Sequence, residues 1–187
     1  MNRTTEQWIE ALNLRPHPEG GFFVESYRST ESLSSTALPD RYGSDRTFST
    51  AIYFLLKLDQ FSAFHRVASD ELWHAYDGLP VRLYLLAEEG KLTEFDLGLD
   101  LTAGQQPQIA IPANHWFAAK PIDTTASPYD YSLVGCTVSP GFDFADFELA
   151  SRPDLLKQFP AHASIISMLT LNPPAEYLLS PDNSVII

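Results

Sequence analysis

The sequence predicts a mainly β chain, a jelly roll or barrel of short strands, with one helix before it and helices after it. Three observations carry this. Runs rich in β-branched and aromatic residues recur between Phe22 and Val138. Turn signals separate them, and no strand–helix–strand alternation interrupts them, which argues against a doubly wound parallel sheet.

The elements follow in order. Thr4 to Leu14 reads as a short amphipathic helix, capped by Thr4 or Thr5, with Trp8, Ile9, Leu12 and Leu14 at helical spacing and Pro16 as the stop. Pro16 to Gly21 has two prolines and two glycines, the chemistry of a turn. Strands are expected over Phe22–Tyr27, Ser49–Leu58, Ser62–Val67, Glu71–Asp77, Val81–Ala87, Leu92–Leu97, Gln108–Ile111, His115–Ala119 and Tyr131–Val138. The stretch from Ser29 to Arg46 is long for a loop, and such loops are often lids or disordered segments. Helix returns at Asp154–Phe159, with Ser151 as cap and Pro153 in the first turn, and again from Pro160 to about Leu169. An edge strand is a candidate at Ser184–Ile187. With no repeat and no linker, residues 1–187 read as a single domain, the barrel spanning about 22–150 and a helical extension 151–170.

Composition narrows the partners. The chain has 187 residues, of which 44% are hydrophobic and 19% charged, an ordinary globular balance. Twenty-four acids against 12 bases give a net charge of −12, which argues against nucleic acid and against anionic membrane surfaces. Apolar runs such as Ala51–Leu56 are too short to span a bilayer. Cys136 is the only cysteine, so no intrachain disulfide forms; without a leader-like stretch after Met1, a cytoplasmic location is expected. Cys136 lies in an apolar strand and reads as an inert buried thiol.

The chemistry-bearing stretch runs from Phe64 to Gly78. Period-two alternation puts His65 with Val67, and Glu71 with Trp73 and Ala75, so an antiparallel pairing could bring His65 and Glu71 to one face of a sheet. A histidine beside a carboxylate is an acid–base pair or two ligands of a metal.

These residues resemble the cupin motifs. His65, Glu71 and Gly78 match the spacing of the first motif, with Val67 where its second histidine stands. Pro112-Ala113-Asn114-His115-Trp116-Phe117 looks like a degenerate second motif, in which Asn114 replaces a glycine and Phe117 the ligand histidine. Leu14-Arg15-Pro16-His17-Pro18-Glu19-Gly20-Gly21-Phe22, Tyr27-Arg28-Ser29, Ser62-Ala63-Phe64-His65-Arg66, Asp70-Glu71-Leu72-Trp73 and Ser139-Pro140-Gly141-Phe142 together resemble the Cupin_5 family, from about residue 8 to about 170. The resemblance implies a cupin double-stranded β-helix, similar in fold to dTDP-4-dehydrorhamnose 3,5-epimerase and to seed-storage cupins. It also implies a homodimer, and it brings no settled activity.

A catalytic metal needs three protein ligands and an open position. Valine and phenylalanine cannot ligate, and His115 lies two residues, about 7 Å along a strand, from the ligand position. A metal-free pocket is therefore expected; a divalent transition metal, if present, would use His65 and Glu71. The resemblance to epimerases implies His65 as base, Glu71 as its partner and a tyrosine on the opposite face, with Tyr84 chosen and Tyr27 and Tyr53 as alternatives. Glu25, Tyr27, Tyr53, Arg66, Trp73 and Trp116 are the further candidates for lining a ligand. Glu25 and Tyr27 could equally face solvent, and Trp73 and Trp116 could be plain core. Arg28, Arg66 and Arg82 could anchor an anionic group or form surface salt bridges. His17 and Glu19 could close over a cavity mouth, or their loop could simply dock the first helix. The expected function is a small-molecule-binding cupin, a metal-independent epimerase or isomerase of a sugar or other carbonyl compound. The alternatives are a non-catalytic metabolite-binding protein and a metal-dependent oxygenase or isomerase.

Overall fold

Thr4 begins the first helix by a reciprocal cap. Its hydroxyl accepts from the Gln7 N–H at 3.3 Å, and the Gln7 side chain accepts from the Thr4 N–H at 2.9 Å. The helix, α1 (Thr5–Leu12), ends where Asn13 turns left-handed at φ 54°. The computed structural model describes residues 3–123 and 129–171. The strands are β1 (Arg15–Pro16), β2 (Phe22–Arg28), β3 (Ser32–Leu33), β4 (Arg46–Thr47), β5 (Thr50–Lys57), β6 (Ser62–Arg66), β7 (Asp70–Gly78), β8 (Val81–Leu86), β9 (Leu92–Leu97), β10 (Gln108–Ile111), β11 (Trp116–Pro121), β12 (Tyr131–Ser139) and β13 (Glu148–Leu149). Helices α2 (Arg152–Gln158) and α3 (Ala163–Met168) follow. The candidate strand at Ser184–Ile187 lies outside the described residues.

Two sheets build the barrel. One has six strands in the order β1-β2-β5-β12-β7-β10, the other five in the order β13-β6-β11-β8-β9. The strand pairs within both are antiparallel. Strict alternation then makes three apolar layers. Phe54, Trp73, Val81, Leu83, Phe117 and Val134 fill the space between the sheets. Leu55, Tyr131 and Leu133 face outward from the six-stranded sheet and are covered by Trp8, Ile9 and Leu12 of the first helix and by Leu14 just after it. Phe64, Leu86 and Trp116 face outward from the five-stranded sheet and are covered by Leu155, Phe159 and Ile166 of the C-terminal helices. Each amphipathic helix thus hides a sheet face that would otherwise meet water.

The long segment expected as a lid or a disordered stretch instead folds back on itself. β3 pairs with β4, and Arg46, 3% exposed, clamps Asp146 through two contacts of 2.6 Å. The bidentate pair ties this excursion to the segment after β12. The first helix and the Pro160–Leu169 region are shorter than expected, the latter because a single 3-10 turn at Pro160–His162 precedes α3.

Candidate functional site

Loop 17–21 is folded inward by its glycines. Gly20 has φ 111°, and a Cβ there would run into the Phe61 carbonyl oxygen, so only glycine lets the loop lie this close to the sheet. The Glu19 carbonyl then accepts from the Ala63 N–H at 2.8 Å, which docks the loop on β6 and points the His17 and Glu19 side chains inside. Both are buried. β6 contributes His65 and β7 contributes Glu71, also buried, and all four line one cavity of about 550 Å³.

His65 and Glu71 do not reach the cavity by pairing with each other. β6 belongs to the five-stranded sheet and β7 to the six-stranded one, so the two side chains project from facing walls. The expected His65–Glu71 pair is replaced by His65–Glu19: His65 Nε2 lies 3.3 Å from Glu19 Oε2. His17 Nδ1 is 3.4 Å from the same oxygen, and Glu19 Oε1 accepts from the Ser62 hydroxyl at 2.7 Å.

Burial sets the charges. It lowers His65 to about 4 and, with a contribution from His65, lowers His17 to about 3, so both imidazoles are neutral at neutral pH. Burial and then the nearby Glu71 push Glu19 well above the ordinary carboxyl range. The His–Glu19 contacts are therefore not ion pairs: two neutral imidazoles face a carboxyl biased toward its protonated form. Burial raises Glu71 to about 7, against a downward pull from the Cys136 thiol. The Trp73 indole N–H, which finds no partner of good hydrogen-bond geometry among the described residues, is near enough to Glu71 to pull the same way. Cys136 itself is held protonated by burial and by the carboxyls around it.

The tautomers follow. His65 Nδ1 lies 2.8 Å from the Ala63 carbonyl, which can only accept, so Nδ1 carries the proton and Nε2 the lone pair. His17 Nδ1 takes the Glu19 backbone N–H at 3.4 Å and is likewise a lone-pair nitrogen. Aromatic rings wall the space above. The segment after β12 supplies Phe142, Phe144 and Phe147, with Phe147 5.4 Å from the His65 ring and Phe144 stacked on His17 at 6.2 Å.

Other expected residues take different places. Glu25 lines the cavity mouth and pairs with Arg28 at 2.6 Å. Tyr27 does not join it, because a bulge between Glu25 and Tyr27 turns Tyr27 to the outer face, 54% exposed. Tyr53 and Tyr76 meet on that outer face, ring centroids 6.0 Å apart. Tyr84 points away from the cavity because Leu83, beside it on β8, points in; it lines a separate recess with Arg82 and Lys120. Arg66 bridges to Glu148 and lies over the Trp116 ring at 4.5 Å, both outside the barrel interior. Trp73 is core, packed against Phe54 and Phe117. The residues missed as inner wall are Phe144 and Phe147; the aromatic spacing of Phe142-Asp143-Phe144-Ala145-Asp146-Phe147 was the available signal.

The donor set does not fit the metal that the cupin motifs imply. Phe117 pairs with His65 across the strands, its ring 4.1 Å away, where a ligand would stand, and Val67 holds the other position. Among the described residues no group of three or more His, Cys, Asp or Glu side chains is placed to hold a metal ion.

Two facing antiparallel sheets around a polar cavity define a cupin, and known proteins agree. Residues 6–150 match the Cupin_5 family, described as Cupin superfamily (DUF985), and the chain belongs to that family. A crystal structure of a Shewanella oneidensis protein is 37% identical with a TM-score of 0.80, covering 91% of this chain and 99% of its own. A hypothetical protein from Leishmania major is 31% identical with a TM-score of 0.82, covering 90% and 99%. An uncharacterized protein of Saccharomyces cerevisiae is 28% identical over 88% of this chain and 85% of its own. Oxalate decarboxylase from Bacillus subtilis, 14% identical with a TM-score of 0.52 over 86% of this chain and 38% of its own, shares the fold. No helix among the described residues is long and apolar enough to cross a membrane.

Proposed function

We propose that the protein is a small-molecule isomerase or epimerase that needs no metal and moves a proton at a carbon next to a carbonyl group. The observation that carries this is the placement of His65 and Glu71 on facing walls of one aromatic-lined cavity. A group on one side can remove a proton from carbon, giving an enolate, while the other returns a proton to the opposite face. Glu71, with a value near 7, is suited to either direction at neutral pH. His65 presents a neutral Nε2 lone pair held in orientation by Ala63. Relative to the first expectation the roles shift: Glu71 acts directly, and Glu19 orients His65. Tyr84 has no place in the reaction, since it lines a different recess.

A second reading, a non-catalytic metabolite-binding protein, is favoured by one observation. An imidazole lowered to about 4 is a weak base. The two divide by solvent exchange. Ligands first found by thermal shift from a library of small carbonyl compounds are incubated with the protein in D2O. The reading expects deuterium to enter at carbon, slowed roughly 100-fold or more in His65→Gln and in Glu71→Gln. Saturable ligands that never exchange would establish the binding protein instead. Homodimerisation and cytoplasmic residence belong to the same proposal, resting on unpaired sheet edges and on the lone Cys136.

A further inference from the structure

Two buried carboxyls face one cavity, and among the described residues no cation lies between them. Glu19 and Glu71 both line it, near enough for the Glu71 charge to disfavour ionisation of Glu19. At the mouth, Arg28 is engaged by Glu25 and Asp143. Arg15 and Asp143 line the exposed rim. The imidazoles are neutral. Buried acids are normally paired, so such a pair is costly unless something positive joins it.

The hydrogen-bond inventory points the same way. Three donors on the Glu19 side of the floor are spent: the Ser62 hydroxyl on Glu19 Oε1, the His65 Nδ1–H on Ala63 and the Glu19 N–H on His17; the Trp73 N–H lies on the Glu71 side. The Cys136 thiol faces Glu71. His65 Nε2 and Glu19 Oε2 remain as lone-pair centres 3.3 Å apart, with at most the single carboxyl proton of Glu19 between them; the one lone pair of His17 Nδ1, 3.4 Å from the same oxygen, is already taken by the Glu19 N–H. What the floor lacks is a positively charged donor. The rings of Phe144 and Phe147 beside His17 and His65 suit both an apolar body and a cation.

We propose that the ligand carries a protonated amine, seated against Glu19 Oε2, and an apolar ring-sized body against Phe144 and Phe147. This rests on the reading of the cavity as a small-molecule site, and it deepens it. An ammonium at Glu19 leaves His65 and Glu71 on the two walls for proton transfer, and its charge acidifies the neighbouring C–H. On binding, Glu19 gives up its proton to solvent, so an ammonium ligand enters with net proton release.

Isothermal titration of the full chain with 2-phenylethylamine, 2-phenylethanol and phenylacetate at about pH 7.5 tests it. The amine is expected to bind saturably and at least about tenfold more tightly than either analogue, since each factor of ten is about 1.4 kcal/mol. Its apparent heat is expected to change between phosphate and Tris buffers, reporting proton release. Glu19→Gln is expected to erase the preference for the amine while retaining binding of the alcohol, which shows that the variant is folded. Equal or tighter binding of phenylethanol or phenylacetate overturns the proposal, as does an amine preference that survives Glu19→Gln, or no binding of the amine at millimolar concentration. Deuterium exchange into a ligand lacking an amine would overturn it and leave the isomerase reading standing; failure of exchange with an amine that binds would do the reverse.

Discussion

Along β8 and β11 the inward positions include Val81, Leu83, Phe117 and Ala119, all hydrocarbon and at most 1% exposed. Along β6 and β7 the same alternation points His65 and Glu71 into an open cavity, and loop 17–21 adds His17 and Glu19. One region is close-packed and gains from every buried methylene. The other buries four titratable groups, and it tolerates them by holding all four neutral or nearly so. The difference teaches where stability ends and chemistry begins. A barrel wall that served only packing would carry valine or leucine at 65 and 71, as it does at 81 and 83.

The comparison breaks most visibly from its packed side. Leu83→Ala is expected to cost about 2–5 kcal/mol in denaturant unfolding, while deuterium exchange per folded molecule stays unchanged. A parallel loss of exchange would mean that the two regions are not separate.

The polar side is expected to show itself in pH. Glu71 titrates near 7 when folded, above its ordinary 4.5, so its neutral form supports the fold fully below about 4.5 and that support fades as pH rises through 7. At about 1.4 kcal/mol per pH unit the loss reaches at most about 3.5 kcal/mol, and Glu71→Gln is expected to remove this slope. His65 works in the opposite sense. Lowered to about 4, it supports the fold above 6.5 and loses that support as pH falls toward 4, so His65→Gln is expected to flatten the acid limb of the stability curve. Unfolding midpoints from pH 4 to 8 check both, and slopes identical to the parent's would contradict the buried, neutral description.

The smallest effect sharpens the boundary. Tyr84→Phe, in the outer recess, is expected to change stability by no more than about 0.5 kcal/mol and exchange not at all. A strong loss of exchange would bring Tyr84 back as the opposing acid.

Strand positions were legible because period-two runs between turn residues leave few choices: Leu92–Leu97 and Gln108–Ile111 agree to the residue. The inward direction of His65 and Glu71 was legible for the same reason. What alternation could not supply was which sheet each strand joins, so facing walls looked like adjacent strands. Nor could it see the bulge that reverses Tyr27, which depends on the pairing with β5. Tyr84 was readable after all, because Leu83 and Leu85 on β8 already claim the interior. Glu19 was offered only as part of a loop that could close over a cavity mouth, and its contact with His65 was not foreseen. A Pro/Gly loop reads as surface, and only the approach of Gly20 to Phe61 turns it inward.

The central claim is that the cavity floor holds neutral imidazoles beside a carboxyl poised near neutrality. NMR titration of side-chain nuclei in the full chain tests it most directly. His65 is expected to stay neutral down to about pH 5 as the Nδ1–H tautomer, while Glu71 titrates near 7. A His65 midpoint near 6.5 together with a Glu71 midpoint near 4.5 would contradict the account, for it would mean an open, solvated site instead of a buried one.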